Sequence, residues 1–413
     1  MWVKLARLKE TTVRSDLVPM RWPETWQDGS KFDLLRGTPI NCLVGDRPPE
    51  LPLGELRFVR LDPASPPEGI VLVEGVWPHV KMARRDPNAA ETGPTGAPWV
   101  DSNGWRIRLA QALNPDKTVW LTYMPPKQDE IVAPAAFALA VAEAEAYGAH
   151  WVITLEENFR RGLDEGTAEA VEAWRKIVAV LKLGASSADW RRFEPVAPLA
   201  VVSSFAGEAE FLSQEFLNLA DRRGLAYAIV PSSRALEARL ERYKAVIYIE
   251  PQPPEGPLRA KLLDFAASGG LLILPEPPAK ATAVETSFGH RIYRHGKGRI
   301  AAPVEAWADP YLLAGDVHLL IGHRHDPMRV WNGGMMNTLY LASPDGSQGV
   351  VHIVNYSLRS TLDAVTLGFP RTYQSATVLT AESATPVQPV KRRLGIEFPL
   401  PPFSTYARIE LRG

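Results

Sequence analysis

The sequence predicts a multidomain α/β protein: a parallel β/α region, then a doubly wound unit, then an antiparallel β-sandwich. Three observations carry this. The stretch AHWVITLEEN, Ala149 to Asn158, is a β-branched run ending in Glu156 and Glu157, and helix-patterned segments flank it on both sides. From Pro195, short apolar runs alternate with helices over short connections, as parallel strands covered on both faces should. After about residue 290 the pattern becomes short strands between Gly, Pro, Asn and Asp turns, the signature of a sandwich.

In the first region the expected strands are Pro39–Val44, Glu55–Asp62 (strand or helix), Gly69–Val76, Thr118–Tyr123 and the AHWVITLEEN stretch. Four or five strands alternating with helices argue a parallel sheet. Asp101-Ser102 offers N-caps to a helix ending near Leu113, Pro134–Tyr147 is helix-patterned before Gly148, and Asp164–Leu183 reads as one helix. The long segment from Lys81 to Val100 exceeds an ordinary connection. In the second region the strands are Leu199–Ser203, Ala226–Val230, Ala245–Ile249 and Leu271–Leu274, with helices over Glu208–Arg223, Arg234–Arg242 and Pro257–Ser268. In the third, Arg299–Ala301 and His318–Ile321 are among nine short strand candidates.

At 413 residues the chain is too long for one ordinary core. A net charge of −1 gives no footprint for nucleic acid or anionic membrane. The single cysteine, Cys42, excludes an intrachain disulfide and a multi-cysteine metal site. No stretch approaches the ~20 apolar residues of a membrane span, and the N-terminus has no signal-like run. A cytoplasmic protein and a secreted one with its signal removed are both compatible with this.

Chemistry in such folds sits at the C-terminal ends of strands. The strand-end carboxylates are Glu74 and Glu156, the pair that glycosidic cleavage would need as acid and nucleophile or base. Each is equally open to a role as helix cap or ion-pair partner, and for Glu157 that structural role has the better claim. Trp77, Trp99 and Tyr123 are candidates to stack on sugar faces, and Asp101, Asn103 and Glu157 to hydrogen-bond a ligand. Trp105, at helical spacing with Leu109, reads as core. His323 and His325 lack a third ligand at suitable spacing, so no metal is expected, and no cofactor motif is present. Gly296-Lys297-Gly298 resembles a phosphate loop only in composition, and Ser203-Ser204 lacks the glycine spacing of a nucleophile elbow.

The segment Ala146-Tyr147-Gly148-Ala149-His150-Trp151-Val152 resembles the last barrel strand of family forty-two β-galactosidases. Arg242-Tyr243-Lys244-Ala245-Val246-Ile247-Tyr248, with Leu263 to Ile273 (LDFAASGGLLI), resembles their amidotransferase-like trimerisation domain. Gly349 to Ser357, GVVHIVNYS, resembles their terminal sandwich. Covering residues 115–413, this resemblance implies a reduced or divergent TIM-like β/α barrel over 1–190. It further implies an amidotransferase-like, flavodoxin-like domain over 195–290 and a β-sandwich over 291–413. A carbohydrate ligand and a homo-oligomer follow from it. The penultimate strand, Val119 to Pro125, carries no carboxylate where the family has its nucleophile and places Tyr123 there. The family's Asn-Glu acid/base pair has no counterpart, so no catalytic residue carries over. Two readings result: a glycoside hydrolase acting through Glu74 and Glu156, or a non-catalytic carbohydrate-binding or assembly protein on the same scaffold.

Overall fold

The computed structural model describes residues 16–62, 64–83, 86–90, 99–123, 133–186, 188–279, 281–358 and 361–413. Its first body is built on parallel strands. These are β1 (Pro19–Arg21), β2 (Cys42–Gly45), β3 (Arg57–Arg60) and β4 (Ile70–Glu74). Two small antiparallel ribbons follow, β5 (His79–Val80) with β8 (Val100–Asp101) and β6 (Met82–Ala83) with β7 (Asp86–Ala90). After them come β9 (Thr118–Thr122), β10 (His150–Trp151) and β11 (Ile153–Thr154). The last two are halves of one line of chain, joined at Val152, whose N–H bonds to the Leu121 carbonyl at 2.9 Å. Parallel pairing therefore runs β3-β2-β1-β11 on one side and β10-β9-β4 on the other.

Alternation divides each strand between two cores. Met20, Leu43, Val119, Leu121, Trp151 and Ile153 face helices α1 (Gly104–Leu113), α2 (Pro134–Ala146), α3 (Glu157–Glu165) and α4 (Ala168–Ala185). Cys42, Val44, Ile70, Trp120 and Val152 meet on the opposite face, joined by Val59 of β3 and Leu72 of β4. Those two strands share this inner core although no pairing between them is found among the described residues. Burial pushes the Cys42 thiol up to about 12, so it is an inert core residue.

Six lines of parallel strand exceed the four or five expected. The addition is β1, three residues too short to display alternation in sequence. The helix expected over Asp164–Leu183 is two, because Gly166 is left-handed at φ +70° and closes α3. Helix α2 is apolar all round since it lies between the parallel sheet and the C-terminal sheet. Its Glu143 and Glu145 are nonetheless buried: Glu145 meets His150 Nδ1 at 2.6 Å and Arg191 at 3.6 Å, and the partners of Glu143 are described below.

The second sheet begins after β12 (Glu194–Pro195), a short strand that joins the C-terminal sheet instead. It contains β13 (Leu199–Ser203), β14 (Tyr227–Pro231), β15 (Ala245–Tyr248), β16 (Leu271–Ile273), β17 (Glu285–Ser287), β18 (His290–His295) and β19 (Gly298–Pro303). Their order is β14-β13-β15-β16-β19-β18-β17, with helices α5 (Glu210–Arg222), α6 (Gly256–Ala267) and α7 (Pro310–Ile321). Three expectations are corrected here. The boundary at 290/291 cuts β18, because β19 pairs parallel with β16 and extends this sheet. His318–Ile321 is not a strand but the last turn of α7, a helix capped by Asp309, whose carboxylate accepts from Tyr311 N–H at 2.8 Å. Arg234–Arg242 is two 3-10 turns, Ser232–Arg234 and Leu240–Arg242. Gly296-Lys297 is the turn of the β18–β19 hairpin, with Gly296 at φ +56°.

The C-terminal part is two antiparallel sheets. The larger is ordered Glu194–Pro195, Met336–Ala342, Gln348–Asn355, Tyr406–Arg412, Ser375–Leu379, Ala384–Val387. The smaller is ordered Arg329–Trp331, Thr366–Phe369, Gly395–Pro399, Val390–Arg392. Val351, Ile353, Val378 and Ile409 meet Leu367 and Phe398 between the sheets. On the outer face of the larger sheet, Leu339, Leu341, Val350 and Val354 pack into the core around α2 and α4.

Candidate functional site

The C-terminal ends of the parallel strands define one rim. On the strands with Ile70, Leu72, Trp120 and Val152 on their inner face, alternation places Glu74, Thr122 and Thr154 on that face at the rim. Met20 faces the helices, which puts Arg21 on the inner face as well, level with Thr154. The interior beneath is filled: Cys42 and Trp120 are wholly buried.

Glu74 is exposed, level with Thr122 on the neighbouring strand. Glu156 lies beyond the end of β11 and caps α3; its Oε2 accepts from Asn158 N–H at 2.8 Å and Phe159 N–H at 3.1 Å. That use follows from local sequence, since a carboxylate before a helix satisfies two otherwise orphaned donors. The strands bearing the two acids are separated by β9, two sheet spacings or about 10 Å. Glu157 is exposed in the first turn of α3.

Trp77 and Tyr123 come together. Their rings lie 4.9 Å apart, and Trp77 also meets Phe137 at 4.9 Å and Trp151 at 5.7 Å. Both are half-buried, so this pair is an aromatic surface supported from below by core rings.

Trp99 and Asp101 occupy the β5–β8 ribbon, on the side facing α5. Trp99 Nε1 donates to Asp101 at 3.3 Å, and the Arg222 guanidinium stacks 3.8 Å from the Trp99 ring. Lys81 pairs with Asp101 at 3.6 Å and His79 approaches it at 4.0 Å. Sequence reasoning missed Arg106, which lies over the Trp105 ring at 4.4 Å. Burial lowers its pKa, opposed by Glu215, Asp101 and Glu74. One guanidinium thus feels two of the predicted acids, and its buried Nε has no hydrogen-bond partner among the described residues. The available signal was helical spacing: Trp105 and Leu109 turn inward to the core, leaving Arg106 to the side.

Asn103 is committed elsewhere. Wholly buried at the start of α1, it donates from Nδ2 to the Val76 carbonyl at 2.8 Å and to Glu143 at 2.7 Å. Its Oδ1 accepts from Val76 N–H at 2.7 Å, and its own N–H reaches Glu143 at 2.6 Å. Both Nδ2 hydrogens are thus taken, and burial closes the side chain off from a ligand. Trp105 is core, as its spacing indicated. Ser203 and Ser204 hydrogen-bond Glu250. Among the described residues the one metal-ligand cluster, His318, His323 and Asp326, is remote in sequence from the rim.

No family model matches the chain, and no curated protein matches it in sequence. Solved structures match in fold. An α-L-fucosidase isoenzyme 2 from Paenibacillus thiaminolyticus gives a TM-score of 0.52 at 12% identity, over 75% of this chain and 62% of that one. A rhamnosidase from Novosphingobium sp. PP1Y gives 0.48 at 12% identity, over 78% and 34%. A catalytic mutant of a GH42 β-galactosidase from G. stearothermophilus gives 0.41 at 10% identity, over 78% and 63%. The chain therefore spans less than two thirds of the length of each. The protein is a mixed α/β chain with a glycoside hydrolase-like fold. No described helix is long and apolar enough to cross a membrane.

Proposed function

We propose that the chain is a carbohydrate-binding protein on a glycosidase-like scaffold, without a working carboxylate pair. The parallel body is then a reduced TIM-like barrel, and the ligand lies at its rim, against the Trp77–Tyr123 aromatic surface and beside Glu74 and Arg106. The observation that carries this reading is the commitment of Glu156. Its carboxylate oxygen caps α3 through two backbone donors, while β9, between it and Glu74, ends at Thr122 and is followed by Tyr123, with no acid at either position. The names of the fold relatives support sugar as the ligand class.

The second reading, hydrolysis by Glu74 and Glu156, is favoured by one feature, the inward face that alternation gives Glu74. Aryl glycoside turnover separates the two. Absence of turnover alongside saturable glycan binding supports the binding reading. Turnover abolished in Glu74→Gln establishes the hydrolytic one. The proposal includes a homo-oligomer assembled through the middle unit, and a monomer by sedimentation would contradict that part.

A further inference from the structure

Helix α7 ends where three ligand-type side chains converge. Gly322, at φ +82°, turns the chain over the helix end, and its N–H bonds to the His318 carbonyl at 2.9 Å. The turn is held by His325 N–H to the Gly322 carbonyl at 3.0 Å and Asp326 N–H to the His323 carbonyl at 3.2 Å. His318 Nε2 then lies 3.0 Å from Asp326 Oδ1, and His323 Nδ1 lies 3.0 Å from Asp326 Oδ2. One ligand atom from each residue falls within 4.8 Å of the others. The two imidazoles meet edge-on with centroids 4.2 Å apart. The sequence hides this cluster because His318 reads as part of a strand; as the last turn of a helix, it supplies the third ligand that His323 lacked.

We propose that His318, His323 and Asp326 form a site for a divalent transition-metal ion, with Zn²⁺ the best match. Zinc bonds to imidazole nitrogen and carboxylate oxygen are about 2.0–2.2 Å, so neighbouring ligands in a tetrahedral site are about 3.3 Å apart. Each imidazole nitrogen lies 3.0 Å from a different oxygen of Asp326, a few tenths of an ångström under that value, and the set with one carboxylate oxygen lies within 4.8 Å. Two imidazoles with one carboxylate select Zn²⁺, Co²⁺ or Ni²⁺ over Ca²⁺ and Mg²⁺, which need oxygen ligands. His318 is buried and Asp326 half-buried, which fixes two ligands, whereas the His323 side chain is 63% exposed and opens the site to solvent. Arg324 is turned away, its Nε donating to His325 at 3.1 Å. Three protein ligands leave a fourth position for water or an exogenous ligand. The site stands apart from the sugar reading.

The experiment is calorimetric titration of chelator-stripped, tag-free protein with ZnCl₂, alongside His323→Ala and Asp326→Asn. Wild type is expected to bind one equivalent per chain at micromolar concentration or tighter, and each variant at least tenfold more weakly. Co²⁺ should give the visible absorption of a tetrahedral site in wild type only. His323 is exposed, so its alanine variant should retain the wild-type circular dichroism. No saturable Zn²⁺ binding by wild type, or undiminished binding by folded His323→Ala, would overturn the proposal and leave Asp326 as a hydrogen-bond acceptor for two imidazoles.

Discussion

The hydroxyl of Tyr356 donates a 2.6 Å hydrogen bond to the carboxylate of Glu143 across 213 residues of sequence. The same carboxylate receives the backbone and side-chain N–H groups of Asn103. One buried acid therefore ties the C-terminal sheet to α2, to the start of α1 and, through Asn103, to the chain leaving β4. The loop that carries Trp77 is anchored by this network.

Removing one donor tests it. Tyr356→Phe keeps the ring and leaves a buried carboxylate short of a partner, at a cost of about 1–3 kcal/mol. Urea unfolding measures this, and a loss below about 0.5 kcal/mol would show that the bond contributes nothing particular.

The same acid makes a signed pH prediction. Burial raises the pKa of Glu143 above its ordinary 4.5, against the pull of the Tyr356 and Asn103 hydrogen bonds. Between the unfolded value and the raised native one, the native state holds a proton that the unfolded chain releases. Stability from this group is present below the unfolded value and is lost as pH rises through the folded one. The stability of Glu143→Gln relative to wild type should accordingly increase from about pH 4.5 upward. Urea midpoints across pH 4–8 check it, and a pH-independent difference would count against it.

A second long-range tie is Arg408, buried beneath the end of α4. It donates to the carbonyls of Leu183 at 2.8 Å and Ser186 at 2.9 Å and pairs with Glu410 at 3.1 Å. A cation at a helix C-terminus is favoured by the dipole; Nη1 serves both carbonyls while Nη2, the other arm of the guanidinium, reaches Ser186 Oγ at 3.2 Å and Glu410, a division that a single ammonium does not reproduce. Arg408→Met should destabilise by about 3–5 kcal/mol, and Arg408→Lys should recover less than half of that. Full recovery by lysine, read from denaturant midpoints, would reduce the role to charge alone.

The capping role of Glu156 predicts that Glu156→Ala costs about 1 kcal/mol and that Glu156→Ser restores most of it. Glycan affinity should be unchanged in both. A large loss of function with little loss of stability would return Glu156 to the chemistry.

Much of the scaffold was legible because buried parallel strands announce themselves as apolar runs: β4, β9 and β13 lie where the sequence puts them. The failures have local causes. Strand β1 is three residues long, and α7 is apolar on most sides, so His318 and Leu319 look like a strand. Strand ends lead to Glu74, Trp77 and Tyr123, whose part in binding is a proposal. Residue type does not tell an amide that faces a ligand from one that faces a buried acid, and Asn103 faces Glu143. Nothing in the alanine-rich sequence of α2 marks Glu143 as wholly buried; its partners come from distant segments.

The most direct test of the carbohydrate-binding reading is glycan-array binding by wild type and by Glu74→Ala, whose exposed position leaves the fold intact. The account predicts a defined set of glycans bound by wild type and released unaltered, with affinity at least tenfold weaker in the variant. No glycan bound by the folded wild type, or a bound glycan returned cleaved, would contradict it.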